Sequence, residues 1–93
     1  MASIEVVPIG SAEFRVEVTD DAGTSVHEVT VPSGYVEELG IEDTALQDLV
    51  RESFRFLLER EPKDSILQEF ELSTIESYFS EYPDEIRRRL QGG

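Results

Sequence analysis

The chain has 93 residues with 21 acidic and 8 basic side chains, a formal net charge of −13 and no cysteine. This length is typical of a single domain, and the lack of cysteine excludes disulfides, thiolate metal ligands and cysteine nucleophiles. The charge makes nucleic acid and anionic membranes poor partners, although a high-salt environment would explain the same acidity without any partner. No leader and no apolar run of about 18 residues is visible, so we expect a soluble, cytoplasmic protein without a membrane segment.

The first third of the chain alternates apolar and polar residues in the manner of β-strands. We predict three strands, at residues 3–7, 13–19 and 24–31. The sequence Asp20-Asp21-Ala22-Gly23 between the last two is typical of a hairpin turn, because glycine tolerates a positive φ. The prediction is a three-stranded antiparallel meander.

The register of these strands follows from the pairing that buries apolar residues together. For the hairpin, we expect Thr19 opposite Thr24. For the first strand, we expect Val6 opposite Phe14. These registers would place one row of charged residues on the outer face, namely Glu5, Arg15 and Glu28.

Residues 44–60, TALQDLVRESFRFLLER, have apolar positions at the spacing of an amphipathic helix. The apolar arc covers roughly 200°, which is too wide for one contact, so we expect the sheet on one side and C-terminal helices on the other. Thr44 and Gln47 predict a capping box at the start of the helix, and Pro62 should stop it. A single helical turn ended by Gly40 is expected before it.

The rest of the chain reads as short helices with no strand-like alternation. One is predicted from Asp64, a second from a Ser73–Glu76 capping box, and a last one with Pro83 in its first turn. The second half is therefore not expected to return to the sheet. We predict one α+β domain: a meander over residues 1–32, a turn and central helix over 33–62, short helices over 63–91 and a tail at 92–93.

Few residues are candidates for chemistry. His27 is the sole histidine and falls on the apolar face of the sheet without a partner carboxylate or second ligand, so a structural role is favoured. Asp20 and Asp21 supply too few oxygens for a calcium site and are explained by the turn. We find no nucleophile motif, glycine-rich phosphate loop or cofactor signature, so we expect no catalytic, cofactor-binding or metal-binding residues and no small-molecule substrate.

Two features bear on nucleic acid. Arg87–Arg89 is the only basic cluster in the sequence, and three arginines at a helix end also complement the helix dipole. Residues 65–80 have the outline of two helices joined by a turn, but the turn lacks glycine and the second helix has no base-reading side chain. DNA association through a degenerate helix-turn-helix is therefore an alternative rather than the preferred hypothesis.

Two stretches resemble known families. Residues 52–79, ESFRFLLEREPKDSILQEFELSTIESYF, resemble a family of small uncharacterised prokaryotic proteins that share a helix, a Glu-Pro break and a Tyr-Phe pair; Ser80 stands where that family has proline. The last five residues, RLQGG, resemble the tail of ubiquitin-like modifiers, in which the terminal glycine carboxylate is adenylated and joined to sulfur carriers or target lysines. This second resemblance implies a conjugation tail at Gly92 and Gly93, although in that family the tail follows a strand.

We expect a non-enzymatic protein-interaction or regulatory module. Its partner should be a protein, either a second copy or another chain. The alternatives are a modifier or sulfur carrier that uses the terminal glycines, and the DNA-associated regulator. Large aromatic side chains are effective interface anchors, so the candidate contact residues are Phe70, Tyr78, Phe79 and Tyr82.

Overall fold

A computed structural model describes residues 2–41 and 44–91 of the chain. Its strands are β1 (Ser3–Pro8), β2 (Glu13–Asp20), β3 (Gly23–Thr30) and β4 (Glu69–Glu71). Its helices are α1 (Tyr35–Leu39), α2 (Leu46–Leu58), α3 (Ile75–Tyr78) and α4 (Tyr82–Gln91), with short 3₁₀ helices at Lys63–Ser65 and Leu72–Thr74. The fold is α+β, as predicted.

The β2–β3 hairpin has the predicted register. Thr19 pairs with Thr24, and their hydroxyl oxygens lie 3.0 Å apart. The Asp20 carboxylate accepts a hydrogen bond from the Ala22 amide at 2.8 Å, and Gly23 adopts a positive φ of 134°. Local turn chemistry therefore fixes the hairpin, and the buried side chains of both strands fall on one face.

The predicted register of β1 is wrong by two residues. Val6 pairs with Val16, and Pro8, not Val6, lies opposite Phe14. The strand continues through Pro8 because β1 is an edge strand, where a residue without an N–H is tolerated. A shift of two residues keeps the same side chains facing the core, but it takes Glu5 out of the predicted charge row, since Glu5 lies opposite Glu17. The predicted pairing of Arg15 with Glu28 is confirmed.

Helix α2 lies between the sheet and the C-terminal helices. Phe54 faces the sheet, with its ring centroid 5.3 Å from that of His27. Phe56, two positions later and on the opposite side of the helix, lies 5.3 Å from Tyr82 in an edge-on arrangement. The wide apolar arc therefore has a partner on both sides.

The predicted capping box at the start of α2 is not formed. Ala45 is the N-cap residue and no side chain caps the helix. Gln47 instead donates a hydrogen bond from Nε2 to the Val6 carbonyl at 2.7 Å, because its position on α2 places it over β1. The end of α1 matches the prediction, since Gly40 follows it in a left-handed conformation with φ 74°.

The second half of the chain does return to the sheet, and the predicted helix from Asp64 is wrong. Within the described residues the strand order is β1-β2-β3-β4, and β4 pairs parallel to β3 with Val29 opposite Phe70. The Glu28 amide donates to the Gln68 carbonyl at 2.7 Å. The intervening α1 and α2 form the crossover that a parallel pair requires.

The Ser73–Glu76 capping box is also absent. Thr74 precedes α3 in helical geometry and makes no side-chain cap. The Glu76 carboxylate accepts a hydrogen bond from the Tyr35 hydroxyl, so it ties α3 to α1 rather than to its own N-terminus. Helix α4 has Pro83 in its first turn and basic residues in its last turn, as predicted.

Candidate functional site

An open groove lies between the end of α2, the segment that leads into β4, and α3. Its volume is about 290 Å³. Apolar side chains form most of its lining, namely Leu57, Ile66, Leu67, Phe70, Ile75, Tyr78 and Phe79. The polar groups that reach it are Glu61, Ser65 and Thr74.

The groove combines a buried floor with an exposed apolar rim. Ile66 and Ile75 belong to the hydrophobic core, whereas Leu67 is 48% exposed and Tyr78 is 67% exposed. The floor of the groove is therefore part of the hydrophobic core, and its rim is exposed to solvent. Concave surfaces with this composition are the usual form of binding sites.

His27 fixes one wall of the groove. Its Nδ1 lies 2.7 Å from the Leu67 carbonyl, and its Nε2 lies 2.8 Å from the Ser25 hydroxyl. A carbonyl oxygen only accepts, so Nδ1 carries a hydrogen, and in the neutral ring Nε2 accepts from Ser25. Both ring nitrogens are therefore bonded within the fold, and the histidine holds Leu67 beside β3.

The structure brings together three of the four predicted contact residues. Phe70, Tyr78 and Phe79 line the groove. Tyr82 is fully buried, and its hydroxyl lies 2.6 Å from that of Ser53, which itself donates to a carbonyl one turn earlier in α2. Burial raises the pKa of Tyr82 above its ordinary value, so it is a neutral core residue.

Sequence reasoning missed the other side chains of the groove. Ile66 and Leu67 fall in the helix predicted from Asp64, whereas the structure has only a 3₁₀ helix at Lys63–Ser65 before β4. Leu57 was taken only as part of the apolar stripe of the central helix. Leu67 offered a usable signal, because an apolar residue next to a buried one in an acidic, loop-like stretch is a candidate for exposure.

A carboxylate stands beside the apolar lining. Glu61 is half-buried and makes no ion pair within residues 2–41 and 44–91. The neighbouring cation is already engaged: the Arg60 guanidinium stacks 3.6 Å from the Phe56 ring centroid and lies 3.3 Å from the Glu81 carboxylate. The groove therefore has an apolar surface with a negative charge at its edge.

Of the two features considered for DNA binding, the arginine cluster is paired with carboxylates and the helix-turn-helix is not formed. Arg87, Arg88 and Arg89 each pair with a carboxylate, with Arg89 2.6 Å from Glu59. The hydrogen bond from Arg89 holds the pKa of Glu59 below its ordinary value. The predicted helix-turn-helix outline over residues 65–80 is wrong, because this segment contains β4 and only a single turn of α-helix.

The acidic hairpin turn is accounted for by local contacts. The Asp20 carboxylate bonds the Ala22 amide and lies 3.3 Å from the Lys63 ammonium, and the first of these contacts is the main reason that its pKa is lowered. In the described part of the chain, no group of three or more His, Cys, Asp or Glu side chains is placed to hold a metal ion.

Comparisons with known proteins do not assign a family. Scans against protein-family models, curated proteins and solved structures each return no match. Both resemblances noted in the sequence therefore stay predictions. The tail residues Gly92 and Gly93 lie outside the described residues, and the chain reaches them from α4 rather than from a strand. No helix in the described residues has the length and apolarity to cross a membrane.

Proposed function

We propose that this protein is a non-enzymatic interaction module that binds a segment of another protein in the groove beside β4. The observation that carries the proposal is the rim: Leu67 and Tyr78 are large apolar side chains left exposed next to a concave apolar surface. Exposed apolar residues scattered singly need no explanation, but a contiguous set around a groove is typical of a contact site.

The charge of the site indicates the chemistry of the partner. Glu61 lies at the groove and the whole chain has a net charge of −13. A partner segment that places an apolar side chain in the groove and a lysine or arginine beside it would satisfy both properties. Complementary charge speeds the encounter and selects the partner more than it adds affinity.

The proposal is tested by selecting peptides from a random displayed library on the purified full chain. Selected peptides should carry an apolar residue next to a basic one. Their affinity for the Leu67→Gln or Tyr78→Ala variant of the chain should be at least about tenfold lower, as expected for the loss of a contact worth about 1.4 kcal/mol. Ile9→Gln is a matched control, because Ile9 has the same 48% exposure as Leu67 but lies at the opposite edge of the sheet.

Two results would contradict the proposal. One is that no peptide is enriched on the native chain. The other is that Leu67→Gln and Ile9→Gln affect binding equally, since the groove would then have no special role.

A further inference from the structure

The backbone of β4 has a free edge that adjoins the groove. In the parallel pairing with β3, the Glu28 amide bonds the Gln68 carbonyl and Val29 lies opposite Phe70. This geometry turns the amide and carbonyl of Phe70 toward β3, so those of the alternate residues Glu69 and Glu71 point away. Among the described residues, no backbone hydrogen bond from outside the β3–β4 pairing reaches Glu69.

The side chains of β4 divide between two surfaces. Phe70 points to the helix-covered face and lines the groove. Glu69 and Glu71 point to the outer face of the sheet and are exposed. A further strand placed beside β4, about 4.8 Å away, would therefore insert alternate side chains into the groove and expose the others on the outer face.

The outer face at this edge is acidic. Glu28 on β3 lies directly opposite Glu69, and Glu71 follows on the same face. Neither β3 nor β4 contains a lysine or an arginine, although Arg15 of β2 lies opposite Glu28. Like charges on neighbouring strands repel, and a cationic side chain on an added strand would relieve that repulsion.

We infer that the groove binds its partner by β-strand addition: an extended segment in which apolar and basic residues alternate pairs with the free edge of β4. This inference rests on the proposed function and specifies how that site works. The apolar residues enter the groove beside Phe70, and the basic residues lie next to Glu69 and Glu71. Main-chain hydrogen bonds hold the strand and the side chains select it.

A second copy of this chain is a worse occupant. Pairing β4 with β4 of another copy would bring two sets of Glu69 and Glu71 side by side on the outer face. The resulting cluster of carboxylates opposes that dimer, whereas the same carboxylates favour a basic strand.

The test uses synthetic nine-residue peptides in which arginine and isoleucine alternate. Binding to the full chain is measured by calorimetry for the parent peptide and for two N-methylated forms, one methylated at every arginine and the other at every isoleucine. Successive amides of a strand face opposite edges, so only one of the two forms blocks the hydrogen bonds to β4. We expect that form to bind at least about tenfold more weakly, while the other keeps the affinity of the parent peptide.

Variants of the chain separate the inference from the proposed function. We expect the double variant Glu69→Gln, Glu71→Gln to bind the parent peptide more weakly and with a smaller dependence on salt. The control is the double variant Glu5→Gln, Glu17→Gln toward the other edge, which should bind the peptide as the native chain does.

Strand addition is overturned if both N-methylated peptides bind like the parent while Leu67→Gln still weakens binding, because the groove would then act without β4. If the chain self-associates through β4 in sedimentation and this dimer excludes the peptide, the choice of partner is overturned. If Leu67→Gln has no effect on the parent peptide, the proposed function itself falls.

Discussion

The two edges of the sheet differ in how many of their outward backbone groups are hydrogen-bonded. At the β1 edge, the Gln47 side chain donates a hydrogen bond to the Val6 carbonyl, and Pro8 has no backbone N–H. At the β4 edge, the outward amide and carbonyl of Glu69 and the amide of Glu71 have no such bond within the described residues, and an apolar groove lies beside them. The Glu71 carbonyl is used by the first turn of the 3₁₀ helix Leu72–Thr74. An uncovered strand edge is a hazard for aggregation, and the short length and paired acids of β4 limit that hazard. At the β1 edge the fold therefore bonds one outward carbonyl and removes one outward N–H, while the β4 edge is restricted by charge to a particular kind of partner.

The largest effect on this arrangement should come from Phe54→Ala. The Phe54 ring is fully buried and contacts both His27 on β3 and Phe70 on β4, at 5.3 and 5.9 Å between centroids. The substitution leaves a cavity under the open edge, and we expect the free energy of unfolding to fall by about 3–5 kcal/mol in urea denaturation. Phe54→Leu should recover part of the loss. A loss below about 1 kcal/mol for Phe54→Ala would mean that β4 is not supported by this core.

A smaller loss is expected for His27→Leu. The change leaves the Leu67 carbonyl and the Ser25 hydroxyl without their partner, and we expect about 1–3 kcal/mol of destabilisation. Amide exchange should rise more at Phe70 than at Val16, because β4 depends on the anchored Leu67 segment. Val26→Ala, on the outer face of the same strand, should change stability by less than about 0.5 kcal/mol. Equal loosening at Phe70 and Val16 would show that His27 does not hold the β4 side in particular.

The contribution of the Gln47 hydrogen bond to the β1 edge is tested by Gln47→Glu. A carboxylate cannot donate to the Val6 carbonyl, so we expect a loss of about 0.5–1.5 kcal/mol and greater self-association in sedimentation through β1. Gln68→Glu adds the same charge at an exposed glutamine whose side chain makes no hydrogen bond in the described part of the chain. If the two variants behave alike, the bond from Gln47 to the Val6 carbonyl does not protect the β1 edge.

The smallest effect concerns pH and the contact between the hairpin and the first 3₁₀ helix. The Ala22 amide, with help from Lys63, lowers the pKa of Asp20 from its ordinary value of 3.8. A lowered pKa stabilises the fold above the unfolded pKa, and that stabilisation is lost as the pH falls through the folded value. The native chain should therefore have a higher thermal midpoint than Asp20→Asn near pH 6, and the difference should disappear as the pH falls through the lowered pKa of Asp20. Asp21→Asn is the control; a gap that is independent of pH would contradict the assignment.

The sequence was sufficient for the elements whose determinants are local. The β2–β3 hairpin follows from its turn residues and from strict alternation, and α2 follows from a stripe with a helical period. The register of β1 was missed: the strand was predicted to end at residue 7, before Pro8, although an edge strand accepts proline. This error did not change which side chains face the core.

β4 and the groove could not be predicted in the same way. A strand of three residues, Glu-Phe-Glu, has too little alternation to distinguish it from a helix segment. It forms because His27 holds Leu67 and because Phe70 packs on Phe54, and both contacts join residues far apart in the chain. The aromatic residues of the groove were found from composition, but Tyr82 was not distinguished from them because burial depends on the same distant packing.

The most direct measurement is hydrogen exchange at consecutive amides of β4, with and without the alternating arginine–isoleucine peptide. In the free chain, the Phe70 amide should be protected by its bond to β3, while the Glu69 and Glu71 amides should exchange much faster. Saturation with the peptide should protect Glu69 and leave Phe70 nearly unchanged. A Glu69 amide that is already as protected as Phe70 in the free chain would contradict the open edge on which the account depends.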